Sequence, residues 1–153
     1  MQDCLEEKRL WYNVVMKLEH KLKEWTLPRW KKELDKVFSQ YIRHKYSKDG
    51  EVSCFTCGRR KPIKKMQNGH YISRMYLATR FDENNCRPQC YGCNVMHQGQ
   101  AVDFRENLVK EIGEDKVQVM ESKRHQVVKL TGIWYSEQIQ QYKSALQLIQ
   151  GTL

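Results

Sequence analysis

Two pairs of cysteines are the residues best suited to bind a metal ion. Each pair encloses two residues, in the runs Cys54-Phe55-Thr56-Cys57 and Cys90-Tyr91-Gly92-Cys93. Thiolates on two tight turns of this spacing typically close a tetrahedral zinc site that has no open position. The spacing therefore predicts a structural zinc ion bound by all four cysteines. Disulfides are the alternative, and they would need an oxidising compartment.

Two cysteines are left over, Cys4 and Cys86. Cys86 is a rival zinc ligand, but it lies four residues before Cys90 and lacks the Cys-x-x-Cys spacing on its own. We interpret Cys86 as a free thiol.

A histidine and two asparagines accompany the cysteine pairs. His70 lies between the pairs, Asn85 follows it, and Asn94 comes directly after the second pair. This order is typical of the hairpin of HNH, or ββα-metal, nucleases. There a neutral imidazole takes a proton from water, and the hydroxide attacks phosphorus. A divalent cation stabilises the charge that grows on the phosphate and on the leaving oxygen.

These roles predict a catalytic site in addition to the zinc site. We expect His70 to act as the general base and Asn94 to bind a catalytic Mg²⁺ or Mn²⁺ through its amide oxygen. Asn85 is expected to hold either the imidazole or the loop.

One ligand of that catalytic ion is missing from the pattern. Many HNH nucleases carry an acidic residue or a histidine directly before the base, where this chain has Gly69. Asp82, His97 or Gln98 could replace it. A helix starting at Asn94 would place His97 and Gln98 on the same side as Asn94. Asp82 could instead simply hold the loop.

Positive charge is concentrated between the cysteine pairs. The formal net charge is +9, and residues 52–81 contain seven basic residues and no acidic residue. Such a field attracts phosphate backbones and makes binding salt-dependent, although a solvated face is the alternative. We predict contacts to DNA phosphates rather than to bases. The predicted contacts are Arg59, Arg60, Lys61, Lys64, Lys65, Arg74 and Arg80.

Helices are predicted before the first cysteine pair. Residues 4–25 carry apolar side chains at three- and four-residue steps, which is typical of an amphipathic helix. A second helix is expected from Pro28 to about Lys45. The apolar stripe of the first helix could pack inside the molecule or pair with a second copy of the chain in a homodimer.

Short strands and further helices are predicted beyond residue 52. Residues 52–71 look irregular, and Gly58 and Gly92 suit the tight turns of the cysteine pairs. We expect a helix from Asn94 to the stop at Gly113, another over 114–123, and a last helix capped by Ser136.

These elements predict a mostly helical α+β fold with a zinc-stapled ββα-metal (HNH-like) core flanked by helices. The predicted domains are an N-terminal helix over 1–26 and a zinc-bound HNH-like domain over 27–153, with its core at about 52–112. No run of eighteen apolar residues and no signal-peptide core occurs. We therefore expect a cytoplasmic protein with no membrane partner.

The chain resembles the NinG (Rap) recombination proteins of lambdoid phages, which are zinc-containing HNH-type endonucleases acting on branched DNA. The resemblance covers roughly residues 27–150. The first cysteine pair is one of the matching runs. The others are Gly69-His70-Tyr71, Arg80-Phe81-Asp82-Glu83-Asn84-Asn85, Gln89 to Asn94, Gly99, Phe104-Arg105, Leu108 and Ile112-Gly113. Cys86 departs from the family, where histidine is expected.

The resemblance implies cleavage of Holliday junctions, D-loops or similar branch points during phage recombination. It implies the bacterial cytoplasm as the location and phage recombination proteins as further partners. It also carries over His70 as the base, Asn85 as the middle asparagine and Asn94 as a metal ligand. Two alternatives stay open, an HNH nuclease that cuts ordinary duplex DNA and a zinc-stapled DNA-binding module without catalysis. Gly69 favours the second of them.

Overall fold

The structure is a computed structural model that describes the backbone of residues 2–151 and the side chains of residues 6 and 9–151, so Cys4 lies outside the described side chains. The predicted mostly helical α+β class is confirmed. The helices are α1 (Gln2–Glu24), α2 (Leu27–Lys45), α3 (Leu77–Arg80), α4 (Ala101–Ile112), α5 (Glu114–Ser122) and α6 (Gly132–Gly151). The strands are β1 (Ser47–Lys48), β2 (Glu51–Ser53), β3 (Arg60–Pro62), β4 (Met66–His70) and β5 (Cys86–Cys90).

The main core lies between α2 and α6. Pro28 stands in the first turn of α2, as predicted. The ring centroids of Phe38 on α2 and Tyr142 on α6 are 5.0 Å apart. Burying an apolar side chain of this size stabilises the fold by about 1.5–3 kcal/mol. The buried residues of this core are Trp30, Leu34, Val37, Phe38, Ile42, Cys86, Tyr135, Ile139 and Tyr142.

Helix α1 packs on this core through its C-terminal half. Leu18, Leu22 and Trp25 contact the core, whereas Leu10 and Trp11 are 67% and 70% exposed. The amphipathic helix is therefore confirmed, with part of its stripe packed inside the molecule. Pairing of the exposed part with a second copy of the chain stays a prediction. In the described part of the chain, no helix has the length and hydropathy needed to cross a bilayer.

The strands form two small antiparallel sheets. The first has the strand order β1-β2-β3, and the first cysteine pair lies in the turn between β2 and β3. In the second, β4 pairs with β5, from Met66 opposite Cys90 to His70 opposite Cys86. This hairpin carries a zinc-site cysteine at one end and His70 at the other.

Helices α4 and α5 pack in a separate cluster, and α4 begins later than predicted. A π-helix over Gly92–Met96 follows β5, and α4 starts at Ala101. Between them Gln98, Gly99 and Gln100 have φ of 51°, 83° and 49°. A helix running from Asn94 was therefore wrong, because three left-handed residues interrupt it. The stop at Gly113, with φ of 90°, is confirmed.

The last two helices confirm one boundary and correct another. Helix α5 ends at Ser122, close to the predicted end. Helix α6 begins at Gly132, so the prediction of Ser136 as its cap was wrong. The hydroxyl of Thr131 accepts a hydrogen bond from the Trp134 N–H at 3.2 Å, which satisfies a free donor of the first turn.

Candidate functional site

The four cysteines of the two pairs converge on one point. Their Sγ atoms all lie within 4.8 Å of one another, and Sγ of Cys57 is 3.8 Å from Sγ of Cys90. Four sulfurs at 2.3 Å from one tetrahedral zinc ion would be about 3.8 Å apart. The cysteine cluster (Cys54, Cys57, Cys90 and Cys93) is thus positioned to bind a metal ion and is consistent with a structural zinc.

Backbone geometry builds the cysteine cluster. The Gly58 N–H donates to the Cys54 carbonyl at 2.9 Å, and its φ of 71° favours glycine there. Gly92 has no positive φ, so the turn around the second pair does not require glycine. Sγ of Cys54 accepts the N–H of Cys90 at 3.3 Å, which joins the two pairs directly.

The thiols of the cluster differ in their readiness to ionise. Burial would raise the pKa of Cys54, but hydrogen bonds from the backbone at Cys57 and Cys90 and from the Thr56 side chain lower it to about 6. Burial raises the pKa of Cys93 to about 12. The protein therefore favours one thiolate by itself, whereas ionisation of Cys93 needs the charge of a bound ion.

A polar cleft of about 710 Å³ runs along β4. Its walls come from α2, from the segment after β4 and from residues 94–99. His70 and Asn94, predicted as base and metal ligand, both line this cleft. The structure therefore brings together the two residues on which the predicted chemistry depends.

The tautomer of His70 follows from its hydrogen bond. Nε2 lies 3.1 Å from the carbonyl oxygen of Arg80. A carbonyl only accepts, so the neutral imidazole carries its proton on Nε2 and keeps Nδ1 as the basic nitrogen. Burial lowers the pKa of His70 from its usual 6.5, and hydrogen bonds to the backbone of Arg80 and Asn68 partly oppose this. The ring is thus neutral at pH 7, as a general base must be.

Asn94 has an amide oxygen to offer. Its Nδ2 donates to Oε1 of Gln67 at 2.6 Å, and among the described residues no hydrogen bond to its Oδ1 is found. Oxygen ligands of this kind suit Mg²⁺ and Mn²⁺. The side chain can therefore bind a divalent cation without losing its contact with Gln67.

Asn85 holds the loop rather than the imidazole. It is fully buried, and its Oδ1 accepts the Ile72 N–H at 2.7 Å. Its Nδ2 donates to the carbonyls of Ile72 and Thr79, both at 2.9 Å. Of the two roles predicted for it, these contacts agree with the loop, and no bond to the His70 ring is found in the described part.

Arg80, predicted to contact a DNA phosphate, makes hydrogen bonds within the protein instead. Its guanidinium pairs with both carboxylate oxygens of Asp35, at 2.8 and 2.6 Å, and also donates to the Arg74 carbonyl. Because these donors are occupied, Arg80 is not free for a phosphate. It instead fixes the segment whose carbonyl orients His70. Asp35 was missed, since it lies on α2 far from any motif.

Asp82 and His97, the other predicted metal ligands, do not line the cleft that holds His70 and Asn94. The Asp82 carboxylate accepts the Asn84 N–H at 2.9 Å and faces a small separate pocket. His97 is exposed at the end of the π-helix and does not line the cleft. Neither residue therefore joins His70 and Asn94 in the cleft, and for His97 the reason is that the helix expected to carry it stops at Met96. Their assignment as ligands of a catalytic ion stays a prediction. Gln98, the third candidate, does line the cleft.

Packing explains why glycine precedes the base. A Cβ atom on Gly69 would lie 2.1 Å from Oε1 of Gln89, which is fully buried. Nε2 of Gln89 donates to the Gly99 carbonyl at 2.9 Å, which ties the left-handed turn to β5. Gln89, whose packing role the sequence did not indicate, therefore disfavours a carboxylate side chain at position 69.

The remaining predicted phosphate contacts lie on the surface. In the basic loop, residues 59–65, the side chains of Arg59, Arg60, Lys64 and Lys65 are exposed. Lys61 is half-buried. Arg60 lies 3.4 Å from the carboxylate of Glu51. Arg74 is exposed and lines the cleft. Contact with DNA stays a prediction for this set, which comprises Arg59, Arg60, Lys61, Lys64, Lys65 and Arg74.

Known phage proteins are similar to this chain. The family described as Bacteriophage Lambda NinG protein matches residues 7–151. Protein ninG of Escherichia phage 933W is 31% identical over 94 residues, which are 61% of this chain and 45% of the relative. Protein ninG of Salmonella phage P22 is 30% identical over 121 residues, 77% of this chain and 54% of the relative. The chain thus spans about half the length of the curated relatives it matches, and no solved structure matches it.

Proposed function

The chain belongs to the NinG family of bacteriophage proteins, and from this premise we propose that it is a metal-dependent DNA endonuclease. The observation that carries the proposal is the cleft in which His70, basic at Nδ1, and Asn94 lie together. The β4–β5 hairpin and the helical segment after it would form a ββα-metal (HNH-like) core. The cysteine cluster fixes the far end of that hairpin.

The chemistry proposed is hydrolysis of a phosphodiester. Nδ1 of His70 accepts a proton from water while Nε2–H donates to the Arg80 carbonyl and keeps the ring oriented. The oxygen of the resulting hydroxide bonds to phosphorus, and the 3′ oxygen leaves with the electron pair of the broken bond. Oδ1 of Asn94 would hold Mg²⁺ or Mn²⁺, whose charge stabilises the phosphate and the leaving oxygen.

The proposed substrate is branched DNA, such as a Holliday junction or a D-loop, in phage recombination. The NinG resemblance supports this choice of substrate. The exposed basic loop fits it, because contacts to phosphates select shape rather than sequence. Other recombination proteins of the phage are proposed as partners on the same ground.

A cleavage assay tests the proposal. Wild type, His70→Ala and His97→Ala are incubated with labelled four-way junction, flap and linear duplex, with and without Mg²⁺. His97→Ala is the matched control, because this histidine lies outside the cleft. We expect His70→Ala to bind junctions normally and to lose cleavage by about 10²- to 10⁴-fold, while His97→Ala cuts as wild type.

Each other result has a clear meaning. Undiminished cleavage by His70→Ala would exclude this histidine as the base. Equal cutting of linear duplex would favour an ordinary duplex nuclease. Binding without cutting would favour a zinc-stapled DNA-binding module, and one observation supports that alternative: the carboxylate that lines the cleft, Asp35, is already paired with Arg80.

The proposed metal ligand has its own assay. We expect Asn94→Ala to need about ten times more Mg²⁺ for half-maximal cleavage, with its zinc content unchanged. Asn84→Ala is the control, because Asn84 is exposed and lies outside the cleft. An unchanged Mg²⁺ requirement in Asn94→Ala would remove this residue from the ligand set.

A further inference from the structure

Arg43 carries a half-buried positive charge on the wall of the cleft. Its Nε donates to the Ser39 carbonyl at 3.0 Å, and its Nη1 lies 3.3 Å from the carbonyl oxygens of Ile63 and Met66. Burial lowers the pKa of this guanidinium. The three carbonyls fix its position, but none of them carries a charge that would neutralise it.

Other hydrogen-bonded arginines of the described part have carboxylate partners. Arg80 pairs with Asp35, and the fully buried Arg87 pairs with Glu111 at 2.9 Å. Arg105 pairs with Glu114 and Glu121. Within the described residues, no carboxylate lies within 4.0 Å of the Arg43 guanidinium. Arg43 thus differs from arginines whose role is to hold the fold together.

An unneutralised cation in a half-buried place is costly, and an anionic ligand removes that cost. Nη2 of Arg43 makes no hydrogen bond within the described residues, so its two N–H groups are available for charge-assisted hydrogen bonds to a phosphate. We propose that Arg43 forms an anion site in the cleft that binds a phosphate of the DNA backbone beside the one that is cut. This inference rests on the proposed function and adds a substrate contact to it.

The position of Arg43 decides which phosphate it binds. Its Nη1 contacts Met66 at the start of β4, whereas His70 ends that strand. Four residues of extended chain span about 13 Å. The guanidinium is therefore too far from His70 to share its phosphate. The cleft would hold one DNA strand along β4, with Arg43 on a neighbouring phosphate.

Salt dependence of binding separates a phosphate contact from a structural role. Binding of a labelled four-way junction is measured by anisotropy at several salt concentrations, without Mg²⁺ and without chelator, so that zinc is retained and no cleavage occurs. We expect Arg43→Gln to bind more weakly. The plot of log K against log salt concentration should also become less steep, with the magnitude of its negative slope reduced by about one. Arg43→Lys keeps the charge, so its slope should stay near that of wild type.

The matched control lies on the same helix. Arg29 is exposed and stands fourteen residues before Arg43, which is about 21 Å along α2. Arg29→Gln should leave both affinity and slope unchanged. Melting temperatures and stoichiometric titrations of all variants correct for any unfolded fraction.

A chemical change in the DNA locates the contact. Single methylphosphonates, which lack the charge, are placed at positions next to the cut. At one position the substitution should weaken binding of wild type and have no further effect on Arg43→Gln.

The outcomes distinguish this inference from the function on which it rests. A lower melting temperature of Arg43→Gln with an unchanged salt slope would show that Arg43 only stabilises the fold through its hydrogen bonds to backbone carbonyls. That result would overturn the inference but not the proposed function. A wild-type chain that binds no DNA would overturn the proposed function as well.

Discussion

The cysteine cluster lies at one end of the β4–β5 hairpin, whereas the cleft runs along β4 to His70 at the other end, and the two sites are built differently. The cluster is closed, and its four sulfurs come from two turns fixed by backbone hydrogen bonds. The cleft is open, and its amides, imidazole and guanidiniums come from distant parts of the chain. The comparison shows how a small protein can keep a polar cleft accessible, because the cysteine cluster helps to position the strands of the hairpin that lines it.

The two ends also differ in how their polar atoms are satisfied. A structural zinc contributes about 10–16 kcal/mol of binding free energy in small domains. Near the cleft, by contrast, Oδ1 of Asn68 and Oε1 of Gln89 are buried and have no hydrogen-bond partner among the residues that the structure describes. Each such atom costs about 1–3 kcal/mol, which a strongly stabilised partner region can offset.

The largest effect should come from removing one thiol of the cysteine cluster. We expect Cys57→Ser to lose zinc and unfold the central segment, because three thiolates cannot complete the tetrahedron. Zinc content and circular dichroism melting measure this. The control is Cys86→Ala, since this buried thiol lies outside the cluster and its removal should leave zinc bound. A Cys57→Ser variant with normal zinc and melting would contradict the role of the cluster.

A smaller effect is expected from removing the side chain of Asn85, which holds the loop between β4 and β5. Asn85→Ala removes three buried hydrogen bonds and should lower stability by about 3 kcal/mol. For a chain of this size the melting temperature should fall by roughly 6–12 °C, with zinc retained. Asn84→Ala, at an exposed neighbouring position, should change little. Loss of zinc in Asn85→Ala would mean that the two ends are not independent.

Gly69→Ala tests the packing that joins the two ends. The added Cβ overlaps Gln89, so we expect a loss of about 1–3 kcal/mol. The Gly69→Ala/Gln89→Ala double variant should lose less stability than the sum of the losses measured for the two single variants. Gly92→Ala is the control, because a Cβ there would meet only Sγ of Cys90, at 3.9 Å. Additive losses would show that Gln89 does not occupy this space.

The smallest effect concerns pH. The pKa of His70 is lower in the folded protein than 6.5. Well above pH 6.5 the ring is neutral in both the folded and the unfolded chain and adds no pH dependence. As pH falls below 6.5, the unfolded chain binds the proton first, so stability is lost down to the folded pKa. Urea unfolding is measured at several pH values for wild type and His70→Gln. Below pH 6.5 wild type should lose more stability than the variant, and parallel curves would refute the prediction.

Local spacing predicted the parts of the site that are close in sequence. The cysteine cluster followed from two Cys-x-x-Cys runs, and short strands were expected in the segment 52–71, which contains His70. Asp35 and Arg43 could not be found this way. They lie on α2 with no motif, and they reach the cleft only because the helix packs along β4.

The errors have a shared physical origin. His97 and the start of α4 were misplaced because Gln98 and Gln100 adopt left-handed conformations, which nothing in their residue type predicts. Arg80 was assigned to DNA because its partner Asp35 is forty-five residues away. Charge counts along a chain do not reveal which cations are already neutralised by tertiary contacts.

The fit of Gln89 against Gly69 restricts how this chain could diverge. A descendant that gains a carboxylate at position 69 must first shorten the side chain at position 89, and that change would release the carbonyl of Gly99. Shortening residue 89 before enlarging residue 69 is therefore the less costly order. Among homologues, a large residue at 69 should occur only beside a small one at 89.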